Sequence, residues 1–112
     1  MSTLNATNSE WEAKRTDESR GVEELLRKHF ESVDAYRYNS ASVRVRIVDS
    51  RFKELNREQR DDLVEPKLEL LPEETQSEIM NLVLLYPGEE RESFRANMMN
   101  AEFEHPLESM LQ

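Results

Sequence analysis

The two histidines, His29 and His105, are the side chains in this sequence with the most versatile chemistry. An imidazole exchanges protons near neutral pH and binds transition metals. The two histidines lie at opposite ends of the chain, and the sequence contains no cysteine that could complete a metal-binding spacing. Structural roles explain both, because His29 borders an apolar helical face and His105 precedes a proline at a helix end. We therefore predict no metal site.

Carboxylates are abundant, with 24 aspartates and glutamates among 112 residues. The adjacent pairs Asp61–Asp62 and Glu73–Glu74 would point about 100° apart on a helix, which does not suit shared acid–base chemistry. A hydrolytic pair would also need one buried member with a raised pKa, and no sequence feature indicates such burial. Ser40 and Ser42 have no histidine nearby to activate a hydroxyl nucleophile. We expect no catalytic residue, no cofactor and no enzymatic activity.

Charge is unevenly distributed along the chain, whose formal net charge is −9. Residues 37–60 contain seven bases and three acids, a net of +4, so the rest of the chain carries −13. Arg44 and Arg46 share one face of their predicted strand because side chains alternate. With Arg37 on the neighbouring strand they could form a basic sheet face that binds an acidic protein or a phosphate. The candidate binding face comprises Arg37, Arg44, Arg46, Arg51 and Arg60.

The elements that would position these side chains follow from apolar periodicity. Residues 1–19 are polar apart from Trp11 and are predicted to form a disordered tail. A helix is predicted over about 20–31. Two strands, 33–38 and 42–49, are separated by a turn-like link and are predicted to pair as an antiparallel hairpin.

A helical crossover is predicted to follow the hairpin. Asn56 and Gln59 have the spacing of a capping box at the start of a helix. Pro66 lies inside that helix, where we expect a kink or a restart. Pro72 is expected at the first position of a second, short helix. A strand over 81–86 follows.

A final helix is predicted to start at Glu89 and to bury a face made of Phe94, Met98 and Ala101. This segment is more apolar than one short helix requires for itself. Methionine-rich surfaces suit adaptable partner binding, so we expect the segment either to cover the sheet or to contact another protein, including a second copy. The candidate contact residues are Phe94, Met98, Met99, Phe103, Met110 and Leu111.

The strand patterns predict how the elements assemble. Apolar residues alternate with Arg44 and Arg46 in the second strand, whereas the third contains the unbroken apolar run 82–85. The contrast predicts an outer, half-solvated second strand and an inner, fully covered third strand. Two strands of one sheet that are joined by a helical crossover nearly always run parallel, so we predict that strands 42–49 and 81–86 are parallel. Together with the hairpin, this pairing predicts an α+β fold. It would have a three-stranded mixed sheet, a hairpin plus a parallel strand, covered by helices and followed by a C-terminal helical extension.

The order of the elements and several residues over about 22–90 resemble the BolA-like family. The residues that carry the resemblance are Phe52, Leu55, Arg60, Leu63, Val64 and Leu68, followed by the strand Leu82–Tyr86 and Pro-Gly-Glu-Glu. The resemblance implies an αββααβ topology related to the type II KH domain. It assigns a BolA-like domain to residues 20–87 and leaves a C-terminal helix with an apolar tail at 88–112. Members of this family are linked to iron–sulfur cluster handling with monothiol glutaredoxins and, in some cases, to DNA binding.

Several functional positions differ from that family. Leu85 stands where the family has its cluster-ligating histidine, Asp61 stands where it has another histidine, and the loop 39–41 offers neither cysteine nor histidine. A nucleic-acid-binding KH domain needs a Gly-x-x-Gly loop, and the only glycines are Gly21 and Gly88. The fold inference stands, and a role as an iron–sulfur or metal adaptor is disfavoured.

We therefore predict an acidic, non-enzymatic, cytoplasmic protein-interaction module with an unidentified protein partner and no membrane segment. The alternative is a nucleic-acid-binding regulator that uses Arg37, Arg44 and Arg46, although an acidic chain lacks long-range attraction to phosphates. A third possibility is the disfavoured metal adaptor. In the plainest interpretation, the arginines pair with nearby acids on a solvated sheet face and bind no partner.

Overall fold

A computed structural model describes residues 14–101 and Phe103, which form an α+β architecture. One sheet contains three strands in the order β1 (Ser32–Asn39), β2 (Ser42–Val48) and β3 (Ile79–Leu85). β1 and β2 pair antiparallel, and β2 and β3 pair parallel. The predicted fold class, the hairpin and the parallel third strand are confirmed, and the strand boundaries agree to within two residues.

Helices precede, connect and follow the strands. The α-helices within the described residues are α1 (Asp17–Leu26), α2 (Arg57–Leu68), α3 (Glu73–Glu78), α4 (Glu89–Glu92) and α5 (Phe94–Ala101). A 3₁₀ helix, Ser50–Glu54, joins β2 to α2. None of these helices is long and apolar enough to cross a bilayer. Trp11 of the predicted tail, and His105, lie outside the described residues.

The central strand of the sheet is β2, and β3 lies at an edge. The prediction that the arginine-bearing strand is outer and the apolar strand inner is therefore wrong. Both faces of β2 are covered, because Val45 and Ile47 are buried on one face and Arg46 is buried on the other. Alternation indicates a half-solvated strand only when its polar side chains meet water. Arg46 instead meets the buried carboxylate of Asp34.

One face of the sheet, the helical face, packs against α1, the 3₁₀ helix and α2. It holds the larger apolar core, in which each fully buried Val, Leu, Ile or Phe side chain contributes about 1.5–3 kcal/mol. The buried members of this core are Val22, Leu26, Phe30, Val33, Ala35, Val43, Val45, Ile47, Phe52, Val64, Leu71 and Leu84. This layer fixes the position of the crossover helices on the sheet.

The first helix begins at Asp17, three residues before the predicted start. Thr16 and Ser19 form a capping box that the sequence analysis overlooked. The Thr16 hydroxyl accepts from the Ser19 amide at 3.3 Å, and the Ser19 hydroxyl accepts from the Thr16 amide at 2.9 Å. These two bonds satisfy amides that would otherwise lack partners at the helix start.

The second helix begins as predicted. The Asn56 side chain accepts from the Gln59 amide at 2.9 Å, and the Gln59 side chain accepts from the Asn56 amide at 2.9 Å. The helix continues through Pro66 and ends at Leu68, so the chain does not restart there. Pro66 lies in the last turn, where its missing amide disturbs only one hydrogen bond near the helix end. Pro72 is the N-cap of α3 rather than its first residue.

Replacing Asn56 by alanine is expected to lower the free energy of unfolding by about 1 kcal/mol, because the Gln59 amide loses its acceptor. Urea unfolding followed by circular dichroism measures the change. Asn97→Ala is the matched control, since Asn97 is exposed on α5 and its side chain makes no hydrogen bond to the described residues. Equal stability of Asn56→Ala and the wild type would contradict the capping assignment.

The opposite face of the sheet, the C-terminal face, is covered by α5. The predicted single last helix is in fact two, because Ser93 is extended (φ −130, ψ 125) and its hydroxyl accepts from the Ala96 amide at 3.2 Å. A new helix therefore begins at Phe94. Ala96 and Met99 pack against a small core of Val48, Val83 and Leu85.

The restart at Ser93 also changes which side of the last helix is buried. Phe94, Met98 and Ala101, the predicted buried face, are exposed. That prediction is wrong because it assumed one continuous helix from Glu89. A serine N-cap resets the rotation of the helix relative to the sheet.

Candidate functional site

The predicted basic face is not assembled as one surface. Arg44 and Arg46 lie on the C-terminal face, but β1 pairs Arg37 with Val43, which belongs to the helical face. Because side chains alternate along a strand, Arg37 projects from the opposite side of the sheet. The expectation that Arg37 shares a face with the two β2 arginines is wrong.

Arg46 is completely buried at the centre of the C-terminal face. Its Nη2 donates to Oδ2 of Asp34 at 3.2 Å, and its Nη1 donates to Oδ1 of Asn100 at 3.0 Å. Its guanidinium carbon lies 4.1 Å from the centre of the Phe103 ring. Burial lowers the pKa of Arg46, while the charges of Asp34 and, more weakly, Glu90 oppose that shift. Arg46 therefore ties α5 and Phe103 to the sheet as an internal charge.

Arg44 lies at the rim of the same face and is half-buried. Its guanidinium carbon stacks 3.6 Å from the centre of the Tyr38 ring, and its Nη1 donates to the Tyr36 hydroxyl at 3.2 Å. The Tyr36 ring in turn meets Phe103 edge-on, with ring centres 4.8 Å apart. Aromatic contacts therefore continue from the rim to the buried Arg46.

The other three predicted binding arginines form ion pairs in separate places. The shortest pairs are Arg37–Glu78 at 2.7 Å, Arg51–Asp49 at 2.9 Å and Arg60–Glu89 at 2.7 Å. Arg37 also reaches Glu18 at 3.1 Å and so links α1 to α3. The hydrogen bond to Glu78 is the main cause of a raised pKa for Arg37. Each of these arginines thus has an acidic partner within the fold.

Asp49 is buried, and its carboxylate accepts four hydrogen bonds. The sequence analysis did not single it out. Its carboxylate accepts from the Glu31 amide at 3.0 Å and from the Arg51 amide at 3.0 Å. The Arg51 guanidinium donates twice more, at 2.9 Å each. These hydrogen bonds, chiefly those of the Arg51 side chain, hold the pKa of Asp49 below its ordinary value. The signal was local, because Asp49 precedes a short helix and caps its first turn.

Buried carboxylates within the described residues have cationic neighbours. The ion pairs are Glu23 with Arg15 and Arg27, Asp34 with Arg46 and, at 4.0 Å, with Arg27, Asp49 with Arg51, and Glu90 with Arg91. A catalytic acid or base needs a pKa near the working pH. For Asp49, the hydrogen bonds of the Arg51 side chain lower the pKa and so work against that requirement. These groups therefore have the surroundings of structural ion pairs.

The described histidine, His29, lies just after α1 and is partly buried. Its backbone carbonyl accepts from Arg51 Nη2 at 2.7 Å. In the part of the chain that the structure describes, no group of three or more histidines or carboxylates is arranged to hold a metal ion. His105 lies outside that part.

The predicted contact residues of the C-terminal segment separate into two groups. Phe94 and Met98 are 81% and 55% exposed and lie one helical turn apart on α5. Met99 packs against the small core and Phe103 is buried, so both contribute to internal packing. The remaining candidates, Met110 and Leu111, lie outside the described residues.

Comparisons of the chain with protein-family models, with curated proteins and with solved structures find no match. The likeness to BolA-like proteins therefore depends on the residues and on the order of the elements. It remains a prediction about ancestry.

Proposed function

We propose that the protein is a non-enzymatic interaction module on a BolA-like scaffold and that it self-associates through Phe94 and Met98. The order helix, two strands, two helices, strand supports the scaffold. The cationic neighbours of the buried carboxylates support the absence of catalysis. The cysteine-free sequence supports a reducing compartment, such as the cytoplasm.

The exposed pair Phe94 and Met98 is the observation that carries this proposal. The two side chains lie one turn apart and form an apolar stripe on the solvent side of α5. The other side of the helix is anchored by Ala96, which is buried, and by Asn100, which accepts from Arg46. A stripe on an anchored helix loses little conformational entropy when it binds. Exposed aromatic residues of this kind often supply much of the affinity of an interface.

The charges around Phe94 support a second copy of the chain as the occupant of this surface. Glu92 precedes the stripe by two residues and is exposed. The side chain of Arg91 is 82% exposed on the preceding helix. A two-fold interface must be complementary to itself, so it needs both signs of charge around its apolar centre. This surface has both signs, whereas a surface for a strongly charged partner would carry mainly one.

The proposal predicts a dimer whose dissociation constant rises by about 100-fold or more in the double variant Phe94→Ser/Met98→Ser, since two apolar anchors are lost. Analytical ultracentrifugation over a range of concentrations measures this constant. The matched control is Leu70→Ser/Met80→Ser, because Leu70 and Met80 are 60% and 71% exposed and lie outside α5. It should leave the constant within about 2-fold of the wild type.

Two results would overturn the self-association. One is a wild-type chain that stays monomeric at every concentration measured. The other is a control variant that weakens the dimer as much as the loss of Phe94 and Met98. Both variants are expected to fold, because all four substituted positions are exposed. Circular dichroism spectra and thermal midpoints check that they do.

A further inference from the structure

A cavity of about 260 Å³ opens between the start of α2, the end of β3 and the C-terminal helices. Part of its wall is apolar and is formed by Leu55, Leu84 and Met99. Its polar lining contains three arginines and one glutamate, Arg57, Arg60, Arg95 and Glu89. Neither Phe94 nor Met98 lines it, so the cavity is distinct from the apolar stripe.

Arg60 and Glu89 form an ion pair with each other, and both also form hydrogen bonds with the backbone. Arg60 Nη1 donates to Glu89 at 2.7 Å and to the Leu84 carbonyl at 3.0 Å, and its Nε donates to the Leu55 carbonyl at 3.0 Å. The Glu89 carboxylate also accepts from the Tyr86 amide at 3.1 Å. The charge of the one lining acid is therefore compensated, and Arg60 holds it in a fixed position.

Arg57 and Arg95 are held less tightly than Arg60. The Arg57 side chain is 54% exposed, and its three nitrogens make only long hydrogen bonds. Nε donates to Asp61 at 3.3 Å, Nη1 to the Met99 sulfur at 3.8 Å and Nη2 to the Leu82 carbonyl at 3.5 Å. Arg95 is exposed and makes no hydrogen bond or ion pair with the residues that the structure describes. Arg57 is also the first residue of α2, whose N-terminal end carries a partial positive charge. Among the described residues, the cavity thus has one guanidinium group without a partner, that of Arg95, and a second, that of Arg57, whose long hydrogen bonds a ligand can replace. Both belong to a chain whose net charge is −9.

We propose that this cavity binds a small phosphate monoester that carries a compact apolar group. The guanidinium groups of Arg57 and Arg95 match the two negative charges of such a phosphate, and their forked donors suit its oxygens better than the long contacts that Arg57 makes within the chain. The apolar group would pack against Leu55 and Met99. The cavity is smaller than the roughly 300–1,000 Å³ typical of drug-sized ligands, so the ligand is compact.

Isothermal titration of the full chain with phenyl phosphate tests the site. We expect saturable one-to-one binding with a dissociation constant below ~1 mM, weakened about 10-fold or more in Arg57→Gln/Arg95→Gln. The matched control is Arg20→Gln/Lys28→Gln, which removes the same charge from exposed positions outside the cavity lining and should change binding by less than ~2-fold. Inorganic phosphate should bind at least ~5-fold more weakly than phenyl phosphate, because it leaves the apolar wall uncovered.

Three outcomes would overturn this site. They are no saturable binding of phenyl phosphate up to ~10 mM, an equal loss of affinity in the control variant, and equal affinity for inorganic phosphate. The variant Phe94→Ser/Met98→Ser should bind phenyl phosphate like the wild type. A failure of self-association and a failure of this site are therefore measured separately.

Discussion

Replacing Arg46 by alanine is expected to lower the free energy of unfolding by about 3–5 kcal/mol, the usual cost of removing one partner of a buried ion pair. The variant leaves the carboxylate of Asp34, whose side chain is only 7% exposed, without its 3.2 Å partner. It also removes the cation that faces Phe103 and the donor to Asn100, so the C-terminal face loses a contact to α5. Chemical denaturation measures the loss.

The neighbouring variant Arg44→Ala is the matched control for Arg46→Ala. Arg44 lies on the same strand and face but at its half-buried rim, so its cation–π contact with Tyr38 is expected to contribute only about 0.5–1 kcal/mol. Replacing both members of the buried pair, as in Arg46→Met/Asp34→Leu, should restore most of the stability because no buried charge is left alone. A cost below about 1 kcal/mol for Arg46→Ala would contradict its structural role.

The burial of Arg46 also determines how a nucleic-acid role can be tested. The substitution Arg46→Glu would place a second carboxylate beside that of Asp34 in the interior. Two buried like charges would unfold the chain. Loss of DNA binding in such a variant would then report loss of folding. The reversal Arg44→Glu alone keeps the interior intact and changes a side chain at the rim.

Replacing Asp49 by alanine is expected to lower the free energy of unfolding by about 2–4 kcal/mol. The carboxylate accepts four hydrogen bonds, one each from the backbone amides of Glu31 and Arg51 and two from the Arg51 side chain. Its own amide donates to the Leu85 carbonyl at 3.0 Å, so this residue lies where the ends of all three strands are held together. Asp62→Ala is the control, since Asp62 is an exposed carboxylate on α2.

The lowered pKa of Asp49 makes part of this stability depend on pH. The folded state binds the Asp49 proton less readily than the unfolded state, so the contribution is fully present above the unfolded pKa of about 4. It is lost as the pH falls through the folded pKa. The stability difference between wild type and Asp49→Asn should therefore be constant near neutral pH and shrink below about pH 4. A difference that stays constant down to about pH 2 would contradict the assignment.

Local sequence signals predicted most of the secondary structure. The capping box at Asn56, the turn-like link between the first two strands, and the crossover before β3 each depend on a few neighbouring residues or on a general rule of connection. These features appear where the sequence predicted them. Thr16 and Ser93 are capping residues of the same kind, but the prediction did not include them. The predicted start of α1 was therefore three residues late, and the wrong side of the last helix was predicted to be buried.

The candidate contacts were predicted only in part. Spacing alone placed Phe94, Met98, Met99 and Phe103 together as one apolar set. The serine cap at Ser93 decides which of them face the sheet and which face solvent, and it leaves only Phe94 and Met98 exposed. The cavity arginines, Arg57 and Arg95, come from different helices and carried no joint sequence signal.

The sequence by itself determined the three strands, the order of the helices between and before them, the parallel pairing of β2 and β3 and the alternation that separates the two faces of each strand. The tertiary structure alone decided that β2 is central and what covers its arginines. Arg46 meets Asp34 twelve residues away and Asn100 fifty-four residues away. Alternation states which side chains share a face, but whether that face meets water or another segment depends on contacts between residues distant in sequence. For this reason an arginine pattern typical of a solvated strand forms the buried centre of the C-terminal face.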